Sequence, residues 1–325
     1  MTATLAPFPP ARGLRAAALD ALAASLRAGL SAAAVVRRDE PLSKRTTLRV
    51  GGPADVYVEP ESEADLAFTL RAARAADEPV FLLGRGSNLL VRDGGLRAVV
   101  VSLARPAFAA VRVEAPRLHA GAGARLKHLA VEARRAGLAG LEFFEGIPGS
   151  LGGALRMNAG AMGRWTFDVV ESLRFMDAEG GVHERLAAEV RAEYRACPLL
   201  RDHVALSAVL RGEPALPAEI AARMAQYSAK RWESQPPQPS AGCIFKNPAA
   251  APAGKLVDEL GLKGTRHGGA AVSTVHGNFI VNDGGAAAAD VLRLIETVRA
   301  RVLAERGIRL ETEVEIVGEE VPSRA

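Results

Sequence analysis

The sequence predicts an α+β protein of more than one domain. Three observations carry this. The chain has 325 residues, 49% of them apolar, enough for two or three separate cores. Strand-like alternation recurs in hairpin-sized pairs, with isolated amphipathic helices between them. The glycine-rich loop Gly84–Asn88 follows a strand but leads into another strand. A doubly wound dinucleotide domain would instead have its glycines open a helix.

The elements follow in order. Residues 1–35 read as a loose leader and an Ala/Leu/Arg helix. Residues 36–60 form a strand–turn–strand around Gly51-Gly52-Pro53. A helix capped by Ser62 comes next, with Asp65 in the capping-box position and Leu66, Leu70 and Ala73 on one face. It ends near Asp77, and PVFLLG (79–84) reads as a short buried strand, giving β-α-β with parallel pairing. GRGSN follows. Exposed backbone N–H groups there can cradle a phosphate, and a plain β-turn accounts for the spacing equally well. LLVRDGGLRAVVVSL reads as two strands in a hairpin around Asp93-Gly94-Gly95.

Residues 111–123 alternate as a strand ending in Gly121-Ala122-Gly123. A helix then buries Leu126, Leu129, Ala130 and Ala133 and stops at Gly137. From Gly121 to Gly163 there are ten glycines, against about three at average usage. The densest part, EGIPGSLGGALRMNAGA, interleaves apolar residues, so it is no flexible tether. Residues 172–186 form a hairpin around Glu179-Gly180-Gly181, and HVALSAVLRG a strand. A helix of about 15 residues runs to Trp232. The proline-rich SQPPQPS is a stiff connection to AGCIFKNP. Ala286–Arg306 is a long helix stopped by Gly307, and Ile308–Val317 is the last strand.

Composition excludes several functions. The net charge is +4, no run of five basic residues occurs and aromatics are 5%, so no nucleic-acid surface is expected. No apolar run approaches the roughly 18 residues that span a bilayer, and the N-terminus lacks a signal-peptide pattern. The expected location is the cytoplasm, with no membrane partner. Two cysteines are too few for a disulfide framework. The six histidines show no metal-ligand spacing.

Eight segments, in order, carry a family resemblance: TTLRVGGPAD, LLGRGSNLLVRDGG, GLEFFEGIPGSLGGALRMNAGA, EYR, SAGCIFKNP, AGKLVDELGLKG, GGAAVSTVHGNFIVN and LETEVEIVG. With them the chain, from about Thr46 to Gly318, resembles the UDP-N-acetylenolpyruvoylglucosamine reductases (UDP-N-acetylmuramate dehydrogenases). The resemblance implies the FAD-binding fold of the vanillyl-alcohol-oxidase type in two subdomains, followed by an α+β substrate domain. On that division residues 1–35 are leader and helix, and 36–103 the first FAD-binding subdomain, to which 313–325 can return. Residues 104–213 are the second subdomain and 214–312 the substrate domain.

The implied cofactor is FAD and the implied co-substrate NADPH. Its hydride reaches the enolpyruvyl ether of UDP-N-acetylglucosamine through the flavin, in peptidoglycan precursor synthesis. The flavin would lie against Gly84, Arg85, Gly86, Ser87, Asn88 and Leu89, against Gly121, Ala122 and Gly123, and against Ile147, Pro148, Gly149, Ser150, Gly152, Gly153, Asn158, Ala159 and Gly160. Glycine suits such a surface because backbone can then touch the ligand directly.

The resemblance also implies three catalytic residues. Arg195, otherwise one arginine among many, would polarise the substrate carboxylate. Glu313 would be singled out only by its register in EVEIVG, since alternation alone places it on the solvated face of its strand. Cys243 stands where most members carry serine. A lone cysteine is commonly a small buried hydrophobe, yet a protonated thiol can also deliver a proton to C2. Arg231, Gly242, Lys246 and Asn247 would hold the UDP-sugar. The short passage from Arg211 to Gln235 leaves no room for the long tyrosine-bearing loop found in part of the family. A monomer is expected. Another FAD oxidoreductase of the same fold, acting on an alcohol or hydroxy acid, is the alternative, and the C-terminal motifs argue against it. A noncatalytic UDP-sugar or nucleic-acid binding module would be colourless.

Overall fold

The structure is a computed structural model that describes residues 12–321. The leader, residues 1–11, lies outside the described residues. Helix α1 (Arg12–Gly29) docks through Leu19, Leu22 and Leu26, with Leu26 wholly buried. Strands β1 (Val35–Pro41) and β2 (Pro53–Glu59) pair antiparallel, Val35 opposite Glu59. Helix α2 (Glu63–Ala75) is capped by Ser62, whose hydroxyl accepts the Asp65 N–H at 3.1 Å. The Asp65 carboxylate does not close the box. It accepts instead from the Ser31 backbone and hydroxyl and from the Glu61 N–H, pinning the end of α1.

Strand β3 (Val80–Leu82) lies at the edge of a four-stranded sheet ordered β1-β2-β5-β3, where β5 is Leu96–Val101. The β-α-β reading therefore holds with one change: β2 and β3 each pair in parallel with β5, not with each other. The expected hairpin around Asp93-Gly94-Gly95 is not one. Strand β4 (Leu89–Val91) leaves β5 and pairs in parallel with the closing strand Glu315–Val317. The turn separates two sheets because Asp93 faces another helix: its carboxylate accepts the N–H groups of Ala288 and Ala289 at 2.8 and 2.9 Å.

The second sheet contains five antiparallel strands. Residues 111–123 are not one strand but a hairpin, β6 (Val111–Glu114) and β7 (Arg117–Gly121), turned at Ala115-Pro116. Strands Val204–Arg211, Val170–Met176 and Val182–Leu186 complete it. A four-residue helix α3 (Pro106–Ala109) and helix α4 (Leu126–Arg135) pack beside it, and α4 buries the four residues its periodicity predicts. Five residues separate the helix Pro217–Ser234 from that sheet's Val204–Arg211 strand, and the helix occupies the short passage noted above.

The third sheet, in the order Ser240–Cys243, Phe279–Asn282, Ala270–Val272 and Arg266–His267, is covered by the helix Ala288–Arg306. The expected last strand is much shorter than Ile308–Val317. Only Glu315–Val317 is strand, with an isolated bridge between Thr312 and Phe245. No helix among the described residues is long and apolar enough to cross a membrane.

Candidate active site

Three segments distant in sequence meet at one point. The turn Glu193–Ala196 is closed by reciprocal backbone hydrogen bonds and carries Arg195 at φ +57°, a left-handed conformation that costs an L-residue about 1 kcal/mol or more. The Arg195 guanidinium pairs with the Glu313 carboxylate at 2.6 Å, and its buried Nε has no hydrogen-bond partner among the described residues. The Glu313 side chain is 11% exposed, so periodicity misplaced it on a solvated face. The cause is the bridge at Thr312 and the loop after it, which break the alternation. The Glu313 N–H donates to the Ile244 carbonyl at 2.8 Å, placing Glu313 beside Cys243.

Cys243 closes the group. Partial burial first, and then the Glu313 charge, push its thiol up from 9.0 to about 11 against the opposing Arg195 charge, although the residue is not fully buried. At neutral pH the thiol is therefore protonated, and it is a weaker acid than an exposed cysteine. Buried Asn278 fixes the segment by accepting the Phe245 N–H and donating to the Phe245 carbonyl, both at 2.8 Å. Asn88, at the end of GRGSN, donates to the Glu313 carbonyl at 3.2 Å and accepts the Glu315 N–H at 3.0 Å. The glycine loop and the carboxylate are thus held together.

A cleft of about 1800 Å³ is tied to this group through Arg156, which lines the cleft and pairs with Glu315; Arg195, Glu313 and Cys243 themselves do not line it. Of the residues proposed for the cofactor, Gly84, Arg85, Ala122, Gly123, Ser150, Gly152 and Gly153 line it. Leu82, Leu83, Val101 and Leu103 add apolar wall, and Arg45, Arg125 and Arg156 add positive charge. A Cβ on Gly153 would come no nearer than 3.7 Å to any neighbour, so this backbone faces open space where a ligand can touch it. A groove with apolar wall, glycine backbone and the cations of Arg85 and Arg125, which pair with no carboxylate among the described residues, fits FAD, with its planar ring and diphosphate; Arg45 and Arg156 are already neutralised, by Glu40 and Glu59 and by Glu315.

The remaining members of the proposed set lie elsewhere. Ile147, Pro148 and Gly149 line a second cavity of about 220 Å³. Gly86, Ser87, Asn88, Leu89, Gly121, Asn158, Ala159 and Gly160 line neither cavity. Several glycines are required by the protein itself. A Cβ would sit 2.1 Å from the Phe108 carbonyl oxygen at Gly121, 1.8 Å from that of Leu103 at Gly123, and 2.4 Å from the Trp165 ring at Gly160. Part of the glycine surplus therefore reflects backbone packed on backbone, not a ligand.

Arg231 lines the second cavity with Arg85, Arg125, Lys127 and Trp232; Arg85 and Arg125 border both spaces. Burial holds the Arg231 guanidinium below its usual range, and burial with the nearby Arg125 does the same to Arg85. Gly242 (φ +77°) lies near the GRGSN loop, its Cβ position 3.8 Å from the Ser87 carbonyl oxygen. Lys246 pairs with Glu311 at 3.0 Å, the Asn247 amide oxygen accepts the Ala253 N–H, and neither residue lines either cavity. Sequence reasoning missed Thr47, whose hydroxyl lies 2.7 Å from the Ser240 carbonyl and 3.2 Å from that of Gly86, and also Arg125 and Arg156. Thr47 and Arg156 stand inside quoted motifs, whereas nothing in the sequence marks Arg125.

Comparison with known proteins agrees with this architecture. Residues 54–185 match the family described as FAD binding domain. Residues 235–317 match that described as UDP-N-acetylenolpyruvoylglucosamine reductase, C-terminal domain. A protein named UDP-N-acetylenolpyruvoylglucosamine reductase from Rhodopseudomonas palustris is 46% identical over 86% of this chain and 91% of its own. One of the same name from Geobacter metallireducens is 44% identical over 93% and 99%. The crystal structure of the Thermus caldophilus UDP-N-acetylenolpyruvylglucosamine reductase superposes with a TM-score of 0.75 at 38% identity, over 87% of this chain and 98% of that one. The expected α+β architecture, an FAD-binding domain followed by a C-terminal α+β domain, is the one observed. With motifs, fold and three converging side chains in agreement, the chain belongs to the UDP-N-acetylenolpyruvoylglucosamine reductase family.

Proposed function

We propose that the chain reduces the enolpyruvyl ether of UDP-N-acetylglucosamine enolpyruvate to UDP-N-acetylmuramate, with FAD bound and NADPH as reductant, in peptidoglycan precursor synthesis. The observation that carries this is the meeting of Arg195, Glu313 and Cys243, from three remote segments, in a group that the Arg156–Glu315 pair links to a cleft that suits FAD. When bound, FAD supplies hydride transfer from NADPH to C3 of the substrate. The residues of the chain do the rest. The Cys243 thiol holds the proton that C2 must receive, and burial beside Glu313 keeps that proton in place until charge develops on the substrate. Arg195 offers its fork to the substrate carboxylate as that charge grows. Glu313 holds the fork in orientation through the 2.6 Å pair. Gly84, Gly152 and Gly153 present backbone to the cofactor, and Arg85 and Arg125 face its diphosphate or that of the nucleotide-sugar. Arg231 serves the nucleotide-sugar from the second cavity, and Gly242, Lys246 and Asn247, which line neither cavity, are assigned to the same ligand by their motif. The reading includes a monomer in the cytoplasm, and two free cysteines suit a reducing compartment.

The test is the visible spectrum of the purified protein under anaerobic conditions. Flavin absorbance that bleaches with NADPH and returns on adding the enolpyruvyl substrate is the expected result. Bleaching without return would assign the wrong substrate. A colourless protein that takes up no FAD would overturn the reading entirely.

A further inference from the structure

Arg156, the last residue of helix α5 (Leu151–Arg156), bonds to residues that flank both Arg195 and Glu313, yet it is not itself among Arg195, Glu313 and Cys243. Its guanidinium makes a two-point pair with Glu315, at 2.9 Å from Nη1 and 3.2 Å from Nη2. Glu315 lies two residues from Glu313 and opens the closing strand. The carbonyl of Arg156 accepts the Cys197 N–H at 2.9 Å, two residues from Arg195. Two residues further on, Asn158 (φ +38°) donates from its amide to the Glu193 carbonyl at 3.2 Å, at the other end of the same turn. Residues 156–158 thus grip the Arg195 turn at both ends and hold the Glu313 segment by a side chain. A planar fork resists rotation in a way that a point charge does not, so the Glu315 pair transmits orientation as well as attraction.

We propose that Arg156 is a positioning residue for reduction of the enolpyruvyl group, its fork fixing Glu315 so that the Arg195–Glu313 pair is set against Cys243. This rests on the reading in the preceding section. Substituting Arg156 leaves its backbone carbonyl bond in place, so only the Glu315 arm is removed. That arm acts on Glu313 and Cys243, which serve the substrate half-reaction. The half-reaction with NADPH needs neither a proton at C2 nor a polarised carboxylate.

The experiment follows flavin absorbance through both anaerobic half-reactions in wild type, Arg156→Met, Arg156→Lys, Glu315→Gln and the double variant Arg156→Met/Glu315→Gln. All are purified with FAD and their FAD content is measured. The expected result is bleaching by NADPH within about twofold of wild type for every variant. Return of colour on adding substrate slows roughly 10- to 100-fold in Arg156→Met and in Glu315→Gln, and less in Arg156→Lys. The double variant is no slower than the slower single one, because both changes cut one link. Losses that multiply in the double variant, equal slowing of both half-reactions, or unchanged rates would each overturn the proposal. So would loss of FAD from Arg156→Met, since Arg156 also lines the cleft and would then be holding the cofactor. A wild-type protein that bleaches but does not recover with substrate would instead overturn the function proposed above.

Discussion

At the scale of single residues, strain and burial give the sharpest expectations. Arg195 sits at φ +57°, where glycine has no penalty. Arg195→Gly and Arg195→Ala both remove the guanidinium, and both are expected to abolish enolpyruvyl reduction. They differ in the backbone: the glycine variant is expected to be more stable than the alanine variant by about 1 kcal/mol, read from denaturant midpoints. Equal midpoints would mean that the turn relaxes without the side chain. Cys243 gives a pH prediction. Its pKa is raised in the folded protein to about 11 from 9.0, so its contribution to stability is complete below pH 9 and is lost as pH climbs through 11. Alkylation by iodoacetamide at pH 8 is therefore expected to be slower than for an exposed cysteine, with Glu313→Gln speeding it by removing a charge that disfavours thiolate. A Cys243 that reacts at pH 8 as fast as a free thiol would contradict the burial described. Cys243→Ser should remain active, whereas Cys243→Ala should still oxidise NADPH but fail to reduce the enolpyruvyl substrate. Full turnover by the alanine variant would remove Cys243 from the mechanism.

At the scale of elements, the useful lesson concerns turns. Asp93-Gly94-Gly95 has the composition of a hairpin turn, and local chemistry alone supports that reading. The structure uses Asp93 as a remote cap for the helix Ala288–Arg306, almost two hundred residues away, a contact that no local pattern encodes. Asp93→Ala is expected to cost about 1–2 kcal/mol, the usual worth of an N-terminal cap, and thermal melting with hydrogen exchange over that helix would check it. A cost near zero would show that Asp290, which accepts the Ala287 N–H at 3.0 Å, caps the helix unaided. Helices were legible where the apolar period was strong, as at Leu126, Leu129, Ala130 and Ala133. The strand around Glu313 was not. Its alternation is real in the sequence, but the pairing partners are Phe245 at one end and Leu89 at the other, and the chain shifts between them. The candidate site was readable as residues in motifs, and its geometry was not, because Arg195, Cys243 and Glu313 meet only through tertiary contacts.

At the scale of the whole molecule, α1 is a brace outside the two matched family segments. Arg15 joins Asp55 at 3.1 Å and Glu78 at 2.8 Å, while Arg97 joins Asp55 at 2.8 Å and Glu319 at 3.1 Å. Burial raises the Glu78 carboxyl, with the Arg15 charge and hydrogen bond opposing. α1 is also held by apolar contact through Leu19, Leu22 and Leu26. Leu26→Ala removes a fully buried side chain and is expected to cost about 2–5 kcal/mol while leaving FAD content per folded molecule unchanged. Loss of FAD in parallel with stability would show that the brace also shapes the cleft.

The parallel pairing of β4 with the closing strand bears on how the molecule is made. The five-stranded sheet is complete at Arg211, but Glu315–Val317 emerges roughly 100 residues later. At about 5–20 residues per second, the ribosome leaves an interval of roughly 5–20 s between them, within which the last residues that line the cleft, Pro237 and Pro239, are made before Glu313. During that interval β4 has an unfilled edge, and its natural partner is still being translated. Synthesis from this chain therefore finishes its active site last, and a nascent chain stalled before Thr312 could become yellow but could not become a reductase.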